Sequence, residues 1–182
     1  MHLINRAVVG ALIFLALLLV GIQTARASGN QVISSIGLTR SAHGDAIVTP
    51  YAQLALRTHW TSAVMSEVGA GYRQDKFNGG DVTVKSWPVT ASLWLSPMPA
   101  LYAGGGIGWY QSSVDYSDRV PYHNFTTQKF GLHLGGGMTI PVTPAVGLDL
   151  GARYVFLEKE NRNDLAFNPS HWTTSAGLAF NF

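Results

Sequence analysis

The chain is 182 residues long, 47% hydrophobic and 12% charged, with a formal net charge of +2 and no cysteine. Charge at about half the roughly 25% share usual in globular domains leaves little to cover the outer face of a soluble sheet protein. The absence of cysteine excludes thiol chemistry, Cys-ligated metal and disulfide staples.

The N-terminus reads as an export signal. Arg6 precedes an apolar run from Ala7 to Ile22, and Ala25-Arg26-Ala27 then places small residues two apart before Ser28. That pattern predicts a signal peptide over residues 1–27, with cleavage after Ala27. An uncleaved anchor is the alternative, since the run falls only just short of a helical span. Losing Arg6 and Arg26 leaves ten Lys/Arg against ten Asp/Glu. The positive balance of the full chain therefore gives no indication of nucleic-acid binding. Residues 28–182 form one predicted domain.

Beyond the signal no apolar run approaches the length of a membrane helix. Eight segments follow in which apolar and polar residues alternate with a period of two, the signature of strands. The first is Gln31 to Arg40, with Val32, Ile36 and Leu38 on one face. The second is Ala46 to Arg57, with Ala52, Leu54 and Leu56 opposite Tyr51, Gln53 and Arg57. The third, Thr61 to Arg73, sets Val64, Val68, Ala70 and Tyr72 against Glu67, Gly69, Gly71 and Arg73. Asn78-Gly79-Gly80 in the stretch after it is a strong hairpin signal, because these residues tolerate positive φ. The fourth, Val82 to Leu95, changes phase: Val82 and Val84 are even-numbered, whereas Val89, Ala91, Leu93 and Leu95 are odd. Pro88 lies at the change, which predicts a β-bulge there. The fifth runs from Leu101 to Tyr110, the sixth from Phe125 to Ile140 and the seventh from Val146 to Phe156. Glu158 to Pro169 reads as the longest loop.

The eighth segment, His171 to Phe182, places Trp172, Thr174, Ala176, Leu178, Phe180 and Phe182 on one face. A final strand ending on aromatic rings suits a barrel in lipid, where it closes the sheet and sets those rings at the interface. Three features agree with that fold class, an all-β, eight-stranded antiparallel up-and-down barrel. Each segment is about 9–11 residues or slightly more, enough to cross the hydrocarbon at a tilt. The strand count is even, and the connections after strands two, four and six are short while the others run longer on average. Short turns on one side and longer loops on the other characterise outer-membrane barrels. A closed barrel also leaves no sheet edge unpaired, which lipid demands.

From Lys85 onward the chain resembles the small eight-stranded outer-membrane barrels of the OmpA/OmpX/OmpW type. The resemblance lies in Trp87-Pro88-Val89-Thr90, the run Tyr102 to Tyr110 with its glycines 104 to 106 and 108, and Gly135-Gly136-Gly137. It continues in Pro141-Val142-Thr143-Pro144, the run Leu148 to Tyr154 and the terminal Phe182. It implies residence in the bacterial outer membrane, among outer-membrane lipid and lipopolysaccharide. It also implies handling by periplasmic chaperones and the barrel-assembly machinery, with Leu178, Phe180 and Phe182 as the assembly signal. It specifies a fold far better than an activity.

The polar faces collect Arg57, Glu67, Arg73, Lys129, His133, Asp149 and Arg153. Eight strands enclose a bore barely wide enough for side chains, so charges there are expected to pair. The expected arrangement is an interior plug around Glu67 and Asp149 with Arg57, Arg73 or Arg153. A polar pore lined by the same residues is the alternative, although water-filled porins use many more strands. An OmpW-like conduit for small hydrophobic molecules is a further transport reading, and a lipocalin-like periplasmic carrier would keep a barrel in water.

Catalysis finds weak support. A lipid A deacylase of this size uses His-x-Ser with a Glu, whereas His133-Leu134-Gly135 lacks a hydroxyl and His171-Trp172-Thr173 offers only threonine. A His171–Glu158 pair is conceivable, yet no third group is fixed beside it. His43, His59 and His123 show no metal-ligand spacing. The glycine clusters lack a Gly-x-Gly-x-x-Gly pattern followed by a helix, so no phosphate loop is indicated. No cofactor, metal or catalytic residue is expected, and the anticipated role is structural or interaction-based. Trp60, Trp109, Tyr154, Phe156, Trp172, Phe180 and Phe182 are the candidates for interfacial girdles.

Overall fold

The structure, a computed structural model, describes residues 29–42, 48–77, 82–98, 100–116, 124–158, 160–162, 165–167 and 169–182. The expected signal peptide and its cleavage site, the Asn78-Gly79-Gly80 hairpin and the loop histidines His43 and His123 lie outside these residues.

Eight long strands close into one antiparallel barrel. They are β1 (Asn30–Ser41), β2 (Thr49–His59), β3 (Val64–Phe77), β4 (Val82–Met98), β5 (Leu101–Tyr116), β6 (Phe125–Pro141), β7 (Val146–Leu157) and β10 (His171–Asn181). Each pairs with its sequence neighbours, and β10 pairs with β1 to shut the sheet, from Gln31 opposite Asn181 to Ser41 opposite His171. Two short strands, β8 (Glu160–Arg162) and β9 (Leu165–Phe167), form a small hairpin within the long connection before β10. Both ends of the barrel sequence meet at one rim, where Asn30 and Phe182 exchange backbone hydrogen bonds of 3.2 and 3.0 Å. The tight turns at 60–63 and 142–145 share that rim, as does Ala100 between β4 and β5. In barrels of this kind it is the periplasmic end.

Strand parity divides the side chains cleanly. Ile36, Leu38, Leu54, Leu93, Ile107, Phe130, Leu132, Leu134 and Ile140 all point outward and stay exposed, Phe130 to 78%. Inside lie Arg57, Glu67, Arg73, Asp75, His133 and Asp149, all buried. This inversion of the usual soluble pattern follows from the solvent: lipid accepts apolar side chains but not unpaired charge. Trp60, Phe180 and Phe182 ring the periplasmic rim. Near the other end, outward-facing aromatics pack against one another, with ring centroids 5.7 Å apart for Tyr72–Trp87, 4.7 Å for Tyr154–Trp172 and 4.5 Å for Tyr154–Phe156.

The expected bulge at Pro88 is corrected. Pairing of β3 with β4 lapses at Gly71 and Tyr72, opposite Pro88 and Trp87, but Ala70–Val89 and Arg73–Ser86 keep one register. On the other side Pro88 stands opposite Tyr110 in an unbroken ladder with β5, and the register shifts only between Leu95 and Met98. The phase never slips. Val84 faces inward with Ser86 and lies in the outer part of the bore together with Val114, its partner across β4 and β5. In sequence, a valine at the mouth of the bore is indistinguishable from one that faces lipid.

Glycines on the inner wall make room for tyrosines. A Cβ at Gly108 would meet the Tyr110 ring at 2.6 Å, and one at Gly137 would meet the Tyr102 hydroxyl at 2.5 Å. These rings lie flat along the wall of a bore too narrow to hold them upright.

Candidate functional site

Strands β2, β3, β6 and β7 bring one ion cluster together in the half of the bore nearer the periplasm. Arg57 and Glu67 stand directly opposite each other on β2 and β3, and both are almost wholly enclosed. Arg57 donates from Nε and Nη2 to Glu67 Oε2 at 2.9 and 2.7 Å. Its Nη1 donates to Asp149 Oδ2 at 2.8 Å and to the Thr139 hydroxyl at 3.2 Å. Thr139 and Asp149 face each other across β6 and β7, and the hydroxyl also donates to Asp149 Oδ2 at 2.8 Å. Arg153 closes the group by donating to Glu67 Oε1 at 2.5 Å.

Aromatic rings cap the cluster. The Tyr102 hydroxyl donates to Asp149 Oδ1 at 3.0 Å, and the Arg57 guanidinium lies 4.3 Å from the Tyr102 ring centroid. The Arg153 guanidinium stands 5.0 Å from the centre of the Trp94 ring. Two arginines and two carboxylates thus neutralise one another, with cation–π contacts to Tyr102 and Trp94. Met65, Trp94 and Tyr102 pack together beside them on the periplasmic side.

A second pair sits nearer the outer mouth. Arg73 Nη2 and Asp75 Oδ2 are 2.5 Å apart, and both side chains are buried. Thr49 donates its hydroxyl to Asp75 Oδ1 at 3.1 Å. Among the described residues Arg73 Nε and Nη1 have no hydrogen-bond partner.

The other polar residues of the series are distributed around these clusters. His133 is buried; its Nε2 lies 2.8 Å from the Ser92 hydroxyl and its ring 6.2 Å from that of Trp94. Lys129 shares the inward parity but reaches the outer rim, where Nζ donates to the Glu158 carbonyl at 2.8 Å. Leu178, Phe180 and Phe182 all point outward at the periplasmic end of the closing strand.

Chemically, the arrangement neutralises charge rather than presenting it. Ser92 and His133 have the spacing of a nucleophile and a base, but among the described residues His133 Nδ1 has no partner to orient the ring, and the pair is enclosed within the barrel. His171 is buried, with Nδ1 3.0 Å from the Pro169 carbonyl and its ring edge-on to Tyr110. Among the described residues no hydrogen bond joins it to Glu158, and no group of three His, Asp or Glu is placed to hold a metal.

Residues that sequence reasoning passed over include Asp75, assigned to a loop because β3 runs longer than its apolar pattern. Tyr51, Trp94, Tyr102, Tyr110 and Ser92 were also missed. Their inward parity was readable, since Trp94 and Ser92 alternate with Leu93 and Leu95.

Comparison with known proteins agrees with this architecture. The family model described as outer membrane protein beta-barrel domain matches residues 12–180. Among solved structures, a major outer membrane protein from Thermus thermophilus superposes with a TM-score of 0.65 at 12% identity, over 86% of this chain and all of that one. Neisserial surface protein A gives 0.59 at 19% identity, over 85% of this chain and 96% of that one. The attachment invasion locus protein Ail of Yersinia pestis gives 0.56 at 16%, over 85% and 99%. No curated protein sequence matches the chain. The match across nearly its whole length, on a closed eight-stranded barrel with an apolar exterior, shows that the chain belongs to the outer membrane protein beta-barrel domain family and is a small barrel of the bacterial outer membrane.

Proposed function

We propose that the protein is a non-enzymatic component of the bacterial envelope, a sealed barrel with a structural or interaction role. The observation that carries this reading is the filled bore. Arg57, Glu67, Asp149 and Arg153 bond across its width while Trp94 and Tyr102 lie against the guanidiniums. Such a plug blocks the passage of ions, since its four charges are paired with one another within the protein. Against catalysis stands the lack, among the described residues, of any nucleophile, base and orienting acid that are mutually placed and open to a substrate.

Its partners on this reading are outer-membrane lipid and lipopolysaccharide. During biogenesis they are periplasmic chaperones and the barrel-assembly machinery, which would engage Leu178, Phe180 and Phe182. The support for that last role is their position: the three side chains lie outward on the strand that must meet β1 last.

The test is conductance of the refolded protein in a planar bilayer. A silent membrane is expected, and steady unitary currents would replace the plug with a pore. Uptake of small hydrophobic molecules by proteoliposomes would instead establish the OmpW-like conduit. A mass change in lipid A upon expression, lost in His171→Ala, would establish the enzyme.

A further inference from the structure

The wall formed by β1, β2 and β3 carries an apolar groove on its outward side, in the half nearer the outer mouth. Ile36 and Leu38 of β1 form one bank, Tyr72 of β3 the other, and Pro50 and Ala52 of β2 the floor. Register places Ile36, Ala52 and Tyr72 in a single row. The hollow exists because one methyl group sits between an isoleucine and a tyrosine. Trp87 of β4 extends the Tyr72 bank.

Above the groove the chemistry changes. Two rows beyond Ile36–Ala52–Tyr72 the same outward parity brings Arg40 on β1, Val48 just before β2, and Lys76 on β3. The hydrogen bond from Thr49 to Asp75 keeps β2 and β3 aligned at this height. All three side chains are exposed. With adjacent strands 4.7–4.9 Å apart, Arg40 and Lys76 are separated at the backbone by roughly 10 Å. Among the described residues no ion pair engages either one. Lys85, the next outward cation around the barrel, is already bound to Asp115 at 3.0 Å.

Two uncommitted cations at the edge of the hydrocarbon, over a groove as wide as one residue, have a natural complement. Phosphate groups accept charge-assisted hydrogen bonds from arginine and lysine, and an acyl chain fills an apolar furrow without losing any polar contact. We propose that the β1–β2–β3 face is a seat for lipopolysaccharide. One acyl chain lies along Ala52 between Leu38 and Tyr72, and the two phosphates of the lipid A portion engage Arg40 and Lys76, one each. A glycerophospholipid presents a single phosphate close to its two chains and engages only one of the cations. This assignment rests on the outer-membrane reading above and names the lipid and the face.

The test uses full-length processed protein refolded in detergent, with native mass spectrometry counting retained lipid after exposure to lipopolysaccharide or phosphatidylglycerol. The expected result is preferential retention of lipopolysaccharide. Arg40→Glu combined with Lys76→Glu should cut it at least tenfold, Ala52→Leu should cut it several-fold, and Lys85→Ala should leave it unchanged. Heat-modifiable gel mobility must be retained in every variant, which separates loss of the seat from loss of the fold. Equal retention by the double variant, or equal retention of phosphatidylglycerol, would overturn the seat while leaving the outer-membrane reading intact. A protein recovered outside the outer-membrane fraction would overturn that reading instead.

Discussion

The two ion clusters in the bore obey different rules. Near the periplasm Glu67 receives three hydrogen bonds, two from Arg57 and one from Arg153, and Asp149 is engaged by Arg57, Thr139 and Tyr102. Nearer the outer mouth Arg73 and Asp75 form one contact, and two guanidine nitrogens of Arg73 have no hydrogen-bond partner among the described residues. The first cluster joins four strands across the bore, so it is made only when the barrel closes. The second joins residues two apart on a single strand and is available before closure. Both clusters are buried, so the difference lies in the number of partners: the deeper charges are tied into a network, whereas Arg73 has a single carboxylate.

Breaking the deeper cluster should therefore cost most. Glu67→Leu leaves Arg153 without a carboxylate and Arg57 with Asp149 alone, and is expected to destabilise the refolded barrel by about 3–5 kcal/mol, read from the denaturant midpoint. Asp75→Leu removes only the contacts to Arg73 and Thr49, and about 1–3 kcal/mol is expected. Equal losses at the two sites would erase the distinction. Next comes the fit of rings to wall. Gly137→Ala sets a methyl against the Tyr102 hydroxyl and the Leu150 carbonyl, an overpacking expected to cost about 1–3 kcal/mol. Because Tyr102 also holds Asp149, a double-mutant cycle of Gly137→Ala with Asp149→Asn should depart from additivity. The smallest effect lies outside both clusters. Ala100 lies between β4 and β5 with φ of 74°, where a Cβ is unfavourable. Ala100→Gly is expected to gain about 1 kcal/mol, seen as a raised unfolding midpoint.

The same contrast explains how much of this molecule its sequence disclosed. Wherever lipid lies on one side and charge on the other, as along Leu54-Ala55-Leu56-Arg57 or Leu148-Asp149-Leu150, a period of two assigns both faces. The eight strands and the order of the sheet were therefore legible. Legibility fails where the bore itself turns apolar. Val84 and Val114 fill the outer part of the interior, so the alternation around Pro88 mimicked a change of face. It fails again where a strand leaves the membrane: Gln74, Lys76 and the outward partners Lys85 and Asp115 continue β3, β4 and β5 without a greasy face to mark them. Pairing within the bore was less legible still. A list of inward charges does not say that Arg57 reaches Asp149, 92 residues away, because that depends on stagger between strands and on three-dimensional distance. The Ser92–His133 contact, 41 residues apart in sequence, left no local mark at all.

The central claim is that odd and even positions of each strand meet different solvents, and adjacent residues on the closing strand test it directly. The chain has no cysteine, so single cysteines can carry a fluorophore without further change. In proteoliposomes containing brominated lipid, Ala176→Cys should be strongly quenched and Ser175→Cys, its inward-facing neighbour, hardly at all. Equal quenching at both positions, or stronger quenching at 175, would contradict the account.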